Sequence, residues 1–351
     1  MAGSLRLFLI RVAIAVLVIL GLQSCEVLDQ LAAPTEPWLT PDELAVIVNQ
    51  ADSLSVQIGE YYQQKRHIPR RNVVSVNFMP DRVELSPTEF QQLKEMVEAQ
   101  VPAYVQAFAL TWAKPYRVGC MSITAAFALG FDTAYCATDC RLTKPSPYFN
   151  SQSHQPYRDL QIRPTIAIAA TSLDAAKALI DRGVASDSTH PTGTAYLVST
   201  NDKPRNVRAA IYPQIKQYLS SRFNIEMVEA DALQNKPDVM FYFTGAAQVN
   251  ELTSNYFLPG AIADHLTSFG GMLTDSSQMS SLRWLEAGAT GSYGTVVEPC
   301  NFPQKFPNPG IVMMHYLNGD TLLEAYWKSI AMPGQGIVIG EPLARPFMNY
   351  R

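Results

Sequence analysis

Uncharged runs recur along this chain, in alternation with stretches of helical period. Leu44-Ala-Val-Ile-Val48 and Val239-Met-Phe-Tyr-Phe243 are the clearest. Successive side chains of a strand point to opposite sides, so a strand apolar at every position is buried on both faces. Such strands alternating with helices imply a mostly parallel sheet with helices on both faces, an α/β fold.

After residue 48, Asn49 and Asp52 open a helix whose apolar positions are Leu54, Ile58, Tyr61 and Tyr62. Residues 73–78 form the next strand. Ser86-Pro87-Thr88-Glu89 has capping-box spacing with proline at the first helical position, and Phe90, Leu93, Met96 and Val97 carry that helix until Pro102 interrupts it. Residues 117–123 read as a further strand. Later strands are expected at 165–170, 194–199, 225–228, 239–243 and 289–297. Ser172 caps a helix, Val207, Ile211, Ile215 and Leu219 mark one face of another, and 281–286, 313–317 and 322–330 are helical. From 124 to 163 no period holds, and the stretch carries Cys136, Cys140, Pro145, Pro147 and Pro156. It reads as a binding surface or as a packed loop ordered by aromatics and a disulfide. It separates residues 42–163 from 164–351, two side-by-side α/β subdomains.

Residues 1–24 stand outside this pattern. Arg6 and Arg11 precede an uncharged run over residues 12–22, shorter than the roughly 20 residues that a membrane span needs. Leu22-Gln23-Ser24-Cys25 resembles a bacterial lipobox, which implies cleavage before Cys25 and lipid on its thiol. Glu26 follows in place of an inner-membrane retention aspartate, directing the anchor to the outer membrane, facing the periplasm. Residues 25–41, with Pro34, Pro37 and Pro41, suit a tether. Removing residues 1–24 leaves 25 basic against 31 acidic side chains, so nucleic acid is not an expected partner. The expected partners are the membrane, through the lipid, and an envelope protein or polysaccharide.

Ligands of parallel α/β sheets gather beyond the carboxyl ends of the strands. That rule selects segments around Asn49, Asp52, Thr244, Tyr256, Ser268 and Tyr293 for binding. Asp264, His265, Glu298 and Cys300 are the candidates for chemistry, Cys300 as a thiol with His265 or His315 as its base. Asp264 and His265 are neighbours, so in an extended segment their side chains face opposite ways. Glycines 288, 291 and 294 follow a helix and lead into a strand, the reverse of a phosphate loop or a nucleophile elbow at Ser292. Close helix-to-strand packing accounts for them better. Cys136 and Cys140 have metal-like spacing without a second ligand pair, and a local disulfide or free thiols fit better. Four cysteines beyond Cys25 allow three pairings. No metal or cofactor fingerprint is present in the sequence.

Ala263-Asp-His-Leu-Thr-Ser-Phe-Gly-Gly271, Ala287-Gly-Ala-Thr-Gly-Ser-Tyr-Gly-Thr295 with Glu298-Pro299, Ile339-Gly-Glu-Pro-Leu-Ala-Arg-Pro-Phe347 and Tyr61-Tyr62-Gln-Gln-Lys-Arg66-His-Ile-Pro69 are long and specific. They resemble an uncharacterised family of exported proteins found in bacteria that carry exosortase, the envelope protein-sorting system. The resemblance implies an envelope setting and no established reaction. More distantly, residues 195–296 look like the caspase and gingipain arrangement, whose peptidases place histidine-glycine after one strand and cysteine after the next. Here Thr244-Gly245 stands in the first place and no cysteine lies within 268–273. That resemblance implies the fold with its dyad lost, hence a non-catalytic binding or accessory protein linked to exosortase-type sorting or exopolysaccharide export. The alternative is a thiol hydrolase or peptidase of the same fold.

Overall fold

A computed structural model describes residues 38–137 and 139–348. The expected signal segment and the lipid site at Cys25 lie outside the described residues. Ten strands form one sheet in the order β2-β1-β4-β7-β13-β12-β11-β10-β8-β9. They are β1 (Leu44–Asn49), β2 (Val73–Val76), β4 (Ala107–Leu110), β7 (Thr165–Ala167), β8 (Thr194–Ser199), β9 (Asn224–Glu229), β10 (Val239–Gly245), β11 (Phe257–Leu266), β12 (Gly291–Thr295) and β13 (Gly336–Gly340). Every described pairing in this sheet is parallel except β12 with β13. The fold class read from the apolar runs is the one observed.

Local signals set the helix starts. Asp52 caps α1 (Ser53–Arg66) by accepting from Leu54 N at 2.9 Å. Ser86 and Glu89 close a capping box on α2 (Pro87–Glu98), and Ser172 caps α5 (Leu173–Ser186). The intervening helices are α3 (Ile123–Leu129) and α4 (Pro156–Leu160), and α6 (Tyr212–Leu219), α7 (Leu282–Glu286), α8 (Pro309–Leu317) and α9 (Leu322–Ser329) follow. Both faces of the sheet are covered. Gly59 of α1 lies against Val48, and Phe127 of α3 packs edge-on to Phe108 of β4 with Phe90 of α2 behind it. Val48 and Phe108 point to opposite sides, because Phe108 is in register with Ala45.

Three expectations are corrected. The strand expected at 117–123 is a hairpin of β5 (Arg117–Val118) and β6 (Met121–Ser122), which joins β3 (Glu84–Leu85) in a separate small sheet. The main-sheet strand is β4, a run of four residues after Pro102. The aperiodic stretch opens with α3, which shows no amphipathic period because six of its seven residues are buried. The segment around Tyr256, expected beyond the carboxyl end of a strand, leads instead into the ten-residue strand β11 (Phe257–Leu266), whose pairing with β10 slips between Val239 and Phe241.

β13 lies between β7 and β12, so strands from both halves of the chain share one sheet. β7 pairs with β4, among the strands of the first half. The glycines of 288–294 do pack closely: a Cβ on Gly291 would meet Leu322 of α9 at 2.7 Å.

Candidate functional site

The chain reverses its direction of travel across the sheet twice. From β1 it crosses to β2 on one side and then returns to β4 on the other. From β8 it crosses to β9 and returns to β10. At such switch points loops diverge to opposite faces and leave a crevice beyond the carboxyl ends of the strands.

The crevice between β8 and β10 is filled. Thr200 Oγ1 donates to Gly245 O at 2.5 Å, and Asn206 Oδ1 accepts from Thr200 N at 3.1 Å. The Arg205 carbonyl lies so close to Gly245 that a Cβ there would meet it at 1.9 Å. Thr244, a sequence candidate, is sealed beneath this plug at 1% exposure.

The crevice between β1 and β4 is open. A cavity of about 450 Å3 runs across the carboxyl ends of β2, β1, β4 and β7. Asp52 and Leu54 follow β1, Pro80 and Asp81 follow β2, and Trp112 and Lys114 follow β4. Asn49 builds its edge without reaching a ligand. Its side chain is fully buried, donates to Phe78 O at 3.0 Å and accepts from Phe78 N and Ala51 N, both at 3.2 Å. This ties the end of β1 to the chain leaving β2. Below, Thr111 Oγ1 donates to Ile47 O at 3.1 Å and lies 2.6 Å from Ser55 Oγ. Asp52 is therefore both helix cap and crevice wall. Sequence reasoning reached Asn49 and Asp52 but missed Asp81, Trp112 and Lys114. A four-residue apolar run before Thr111 was the available signal for β4.

The candidates for chemistry do not share one environment. Asp264 and His265 face opposite sides of β11, as their adjacency requires. Asp264 is fully buried and ion-paired to Arg208 at 2.6 Å; burial raises its carboxyl against the opposing pull of the guanidinium. His265 accepts from Trp284 Nε1 through Nδ1 at 2.9 Å, so its proton sits on Nε2, which donates to Met279 O at 3.1 Å. Burial drops its pKa to about 3, which leaves a neutral structural imidazole. Glu298 is exposed and accepts from Cys300 N at 2.7 Å. Cys300 is disulfide-bonded to Cys140, and Cys120 to Cys136. The thiol role proposed for Cys300 and the local Cys136–Cys140 bridge are both corrected by these pairings. His315 is also committed, with Nδ1 2.9 Å from Asp320 and Nε2 3.2 Å from Asn150.

Two binding candidates are displaced as well. Tyr256 precedes β11, so it lies at the amino end of that strand, where the carboxyl-end rule does not apply. Tyr293 is buried inside β12 with its hydroxyl on Lys305 O at 2.6 Å. Ser268 does lie beyond the carboxyl end of β11, half-buried, its carbonyl accepting from Thr295 Oγ1 at 2.9 Å. Among the described residues no group of histidine, cysteine and carboxylate side chains has the geometry to hold a metal ion.

No protein-family model and no curated protein sequence matches the chain. Among solved structures it is similar to one described as "Structure of Protease", at 9% identity and TM-score 0.46, covering 89% of this chain and 80% of that one. It is also similar to the complex of Porphyromonas gingivalis RgpB pro- and mature domains, at 8% identity and TM-score 0.45, covering 86% and 79%.

Proposed function

We propose that this chain is a lipid-anchored envelope protein that binds a ligand in the β1/β4 crevice without transforming it. In this reading it serves exosortase-type sorting or exopolysaccharide export. The observation that carries the binding role is the open crevice at one switch point, with charged walls, beside a second switch point plugged by its own backbone. Two disulfides favour an oxidising compartment, in keeping with export. The thiol-hydrolase alternative is less well served, because the sulfur of Cys300 is engaged and the accepting nitrogen of His265 is taken by Trp284.

The test has two arms. Metabolic lipid labelling of the full chain should vanish in Cys25→Ala, and persistent labelling removes the anchor. Incubation of the full chain with broad peptide and oligosaccharide mixtures, followed by mass spectrometry, should yield bound ligand without new products. Sustained turnover that a single substitution abolishes would overturn the binding role.

A further inference from the structure

The β1/β4 crevice holds charges of both signs that its own walls leave unmatched. Lys114 is half-buried, and its ammonium has no acceptor among the described residues; Asp81, exposed at the rim of the cavity lining, has no donor among them. The two line one cavity without forming an ion pair with each other. A group of opposite charge brought to Lys114 inside a cleft, with less water between them, interacts more strongly than it would in open solution. Asp52 adds a second carboxylate to the wall.

This pattern favours a ligand that carries both charges. A lone anion leaves the two carboxylates unanswered, a lone cation leaves Lys114 unanswered, and a neutral sugar leaves both. A molecule with an ammonium at one end and a carboxylate at the other answers both. Leu54 and Pro80 add apolar wall to the same cavity. The volume of about 450 Å3 lies within the roughly 300–1,000 Å3 of small-ligand pockets.

We propose that the crevice takes a zwitterionic amino acid or short peptide, its ammonium at Asp81 and its carboxylate at Lys114. This rests on the crevice being a binding site, and the experiment separates the two ideas. Calorimetric titration of the full chain uses alanyl-leucine, its N-acetyl form, its C-terminal amide and the doubly blocked form, with maltotriose as a neutral saccharide. Blocking either end is expected to weaken binding at least about tenfold. Asp81→Asn should weaken the free dipeptide but leave the N-acetyl form unchanged, and Lys114→Gln should do the same for the free dipeptide and the amide. Ala113→Trp, which fills the cavity, should abolish binding of all forms while circular dichroism stays native. If the doubly blocked form binds as well as the free one, or maltotriose alone binds and Ala113→Trp abolishes it, the zwitterion is wrong and the crevice stands. If binding survives Ala113→Trp, or no probe binds at millimolar concentration, both ideas fall.

Discussion

Arg208 and Asp264 form an ion pair at 2% and 1% side-chain exposure, and the two halves of that pair fail differently when separated. Asp264→Asn leaves a guanidinium that cannot lose its proton. Arg208 keeps its bonds to Thr244 O at 2.7 Å and Pro307 O at 3.2 Å, so the loss is mainly electrostatic. Stranding a buried charge in this way costs about 3–5 kcal/mol, and the variant keeps no group at this position that titrates between pH 5 and 7. Arg208→Met forfeits the carbonyl bonds but strands a carboxyl that can take up a proton. Burial already raises Asp264 with the guanidinium opposing it, and without Arg208 it rises further. An acid whose folded pKa exceeds its unfolded value of about 4 carries no penalty below pH 4. Stability then falls by about 1.4 kcal/mol per pH unit as pH rises towards the folded pKa. The stability of Arg208→Met should therefore fall by up to about 3 kcal/mol between pH 5 and 7, whereas Asp264→Asn, with no titrating group at that position, shows no such slope. Urea midpoints at pH 5, 6 and 7, with disulfides intact, measure both. Parallel pH profiles for the two variants would refute the reasoning.

Two further outcomes test the fold. Iodoacetamide should label none of Cys120, Cys136, Cys140 and Cys300 in the folded, non-reduced chain; Cys140→Ser with Cys300→Ser, which opens a link across 160 residues, should cost about 2–5 kcal/mol in unfolding free energy. Gly245→Ala would drive a methyl against the Arg205 carbonyl and should lower stability by about 3 kcal/mol, read as a fall in the thermal midpoint; an unchanged midpoint would mean the second crevice is not plugged.

Features set by neighbours in the chain were readable beforehand. The caps at Asp52, Ser86 and Ser172 depend on residues two or three positions away, and the structure forms all three. The uncharged runs that became β1 and β10 carry their burial in their own composition. What sequence reasoning missed depends on distant partners. β11 contains Pro259, Gly260, Asp264 and His265, a poor strand sequence, and it tolerates the buried acid because Arg208 arrives from 56 positions away. α3 is apolar all round and has no period to detect. Cys136 and Cys140 look like a local pair, yet their partners are Cys120 and Cys300. The crevice was half visible for the same reason: Asn49 and Asp52 follow an obvious strand, while Lys114 follows β4, whose four residues carry little signal.

The placement of β13 governs the order in which this sheet can be completed. Its neighbours are β12, with five residues in antiparallel register, and β7, about 170 positions earlier. Two groups of parallel strands precede it in the chain, and neither adjoins the other without it. Until residue 340 has been delivered, β7 and β12 each present an unpaired edge, the surface on which strands of other molecules most readily add. A chain threaded amino end first would carry these open edges, besides those of β2 and β9, until β13 arrives. Closure of the sheet, and burial of Glu341 against Arg66, would wait for residues 336–341.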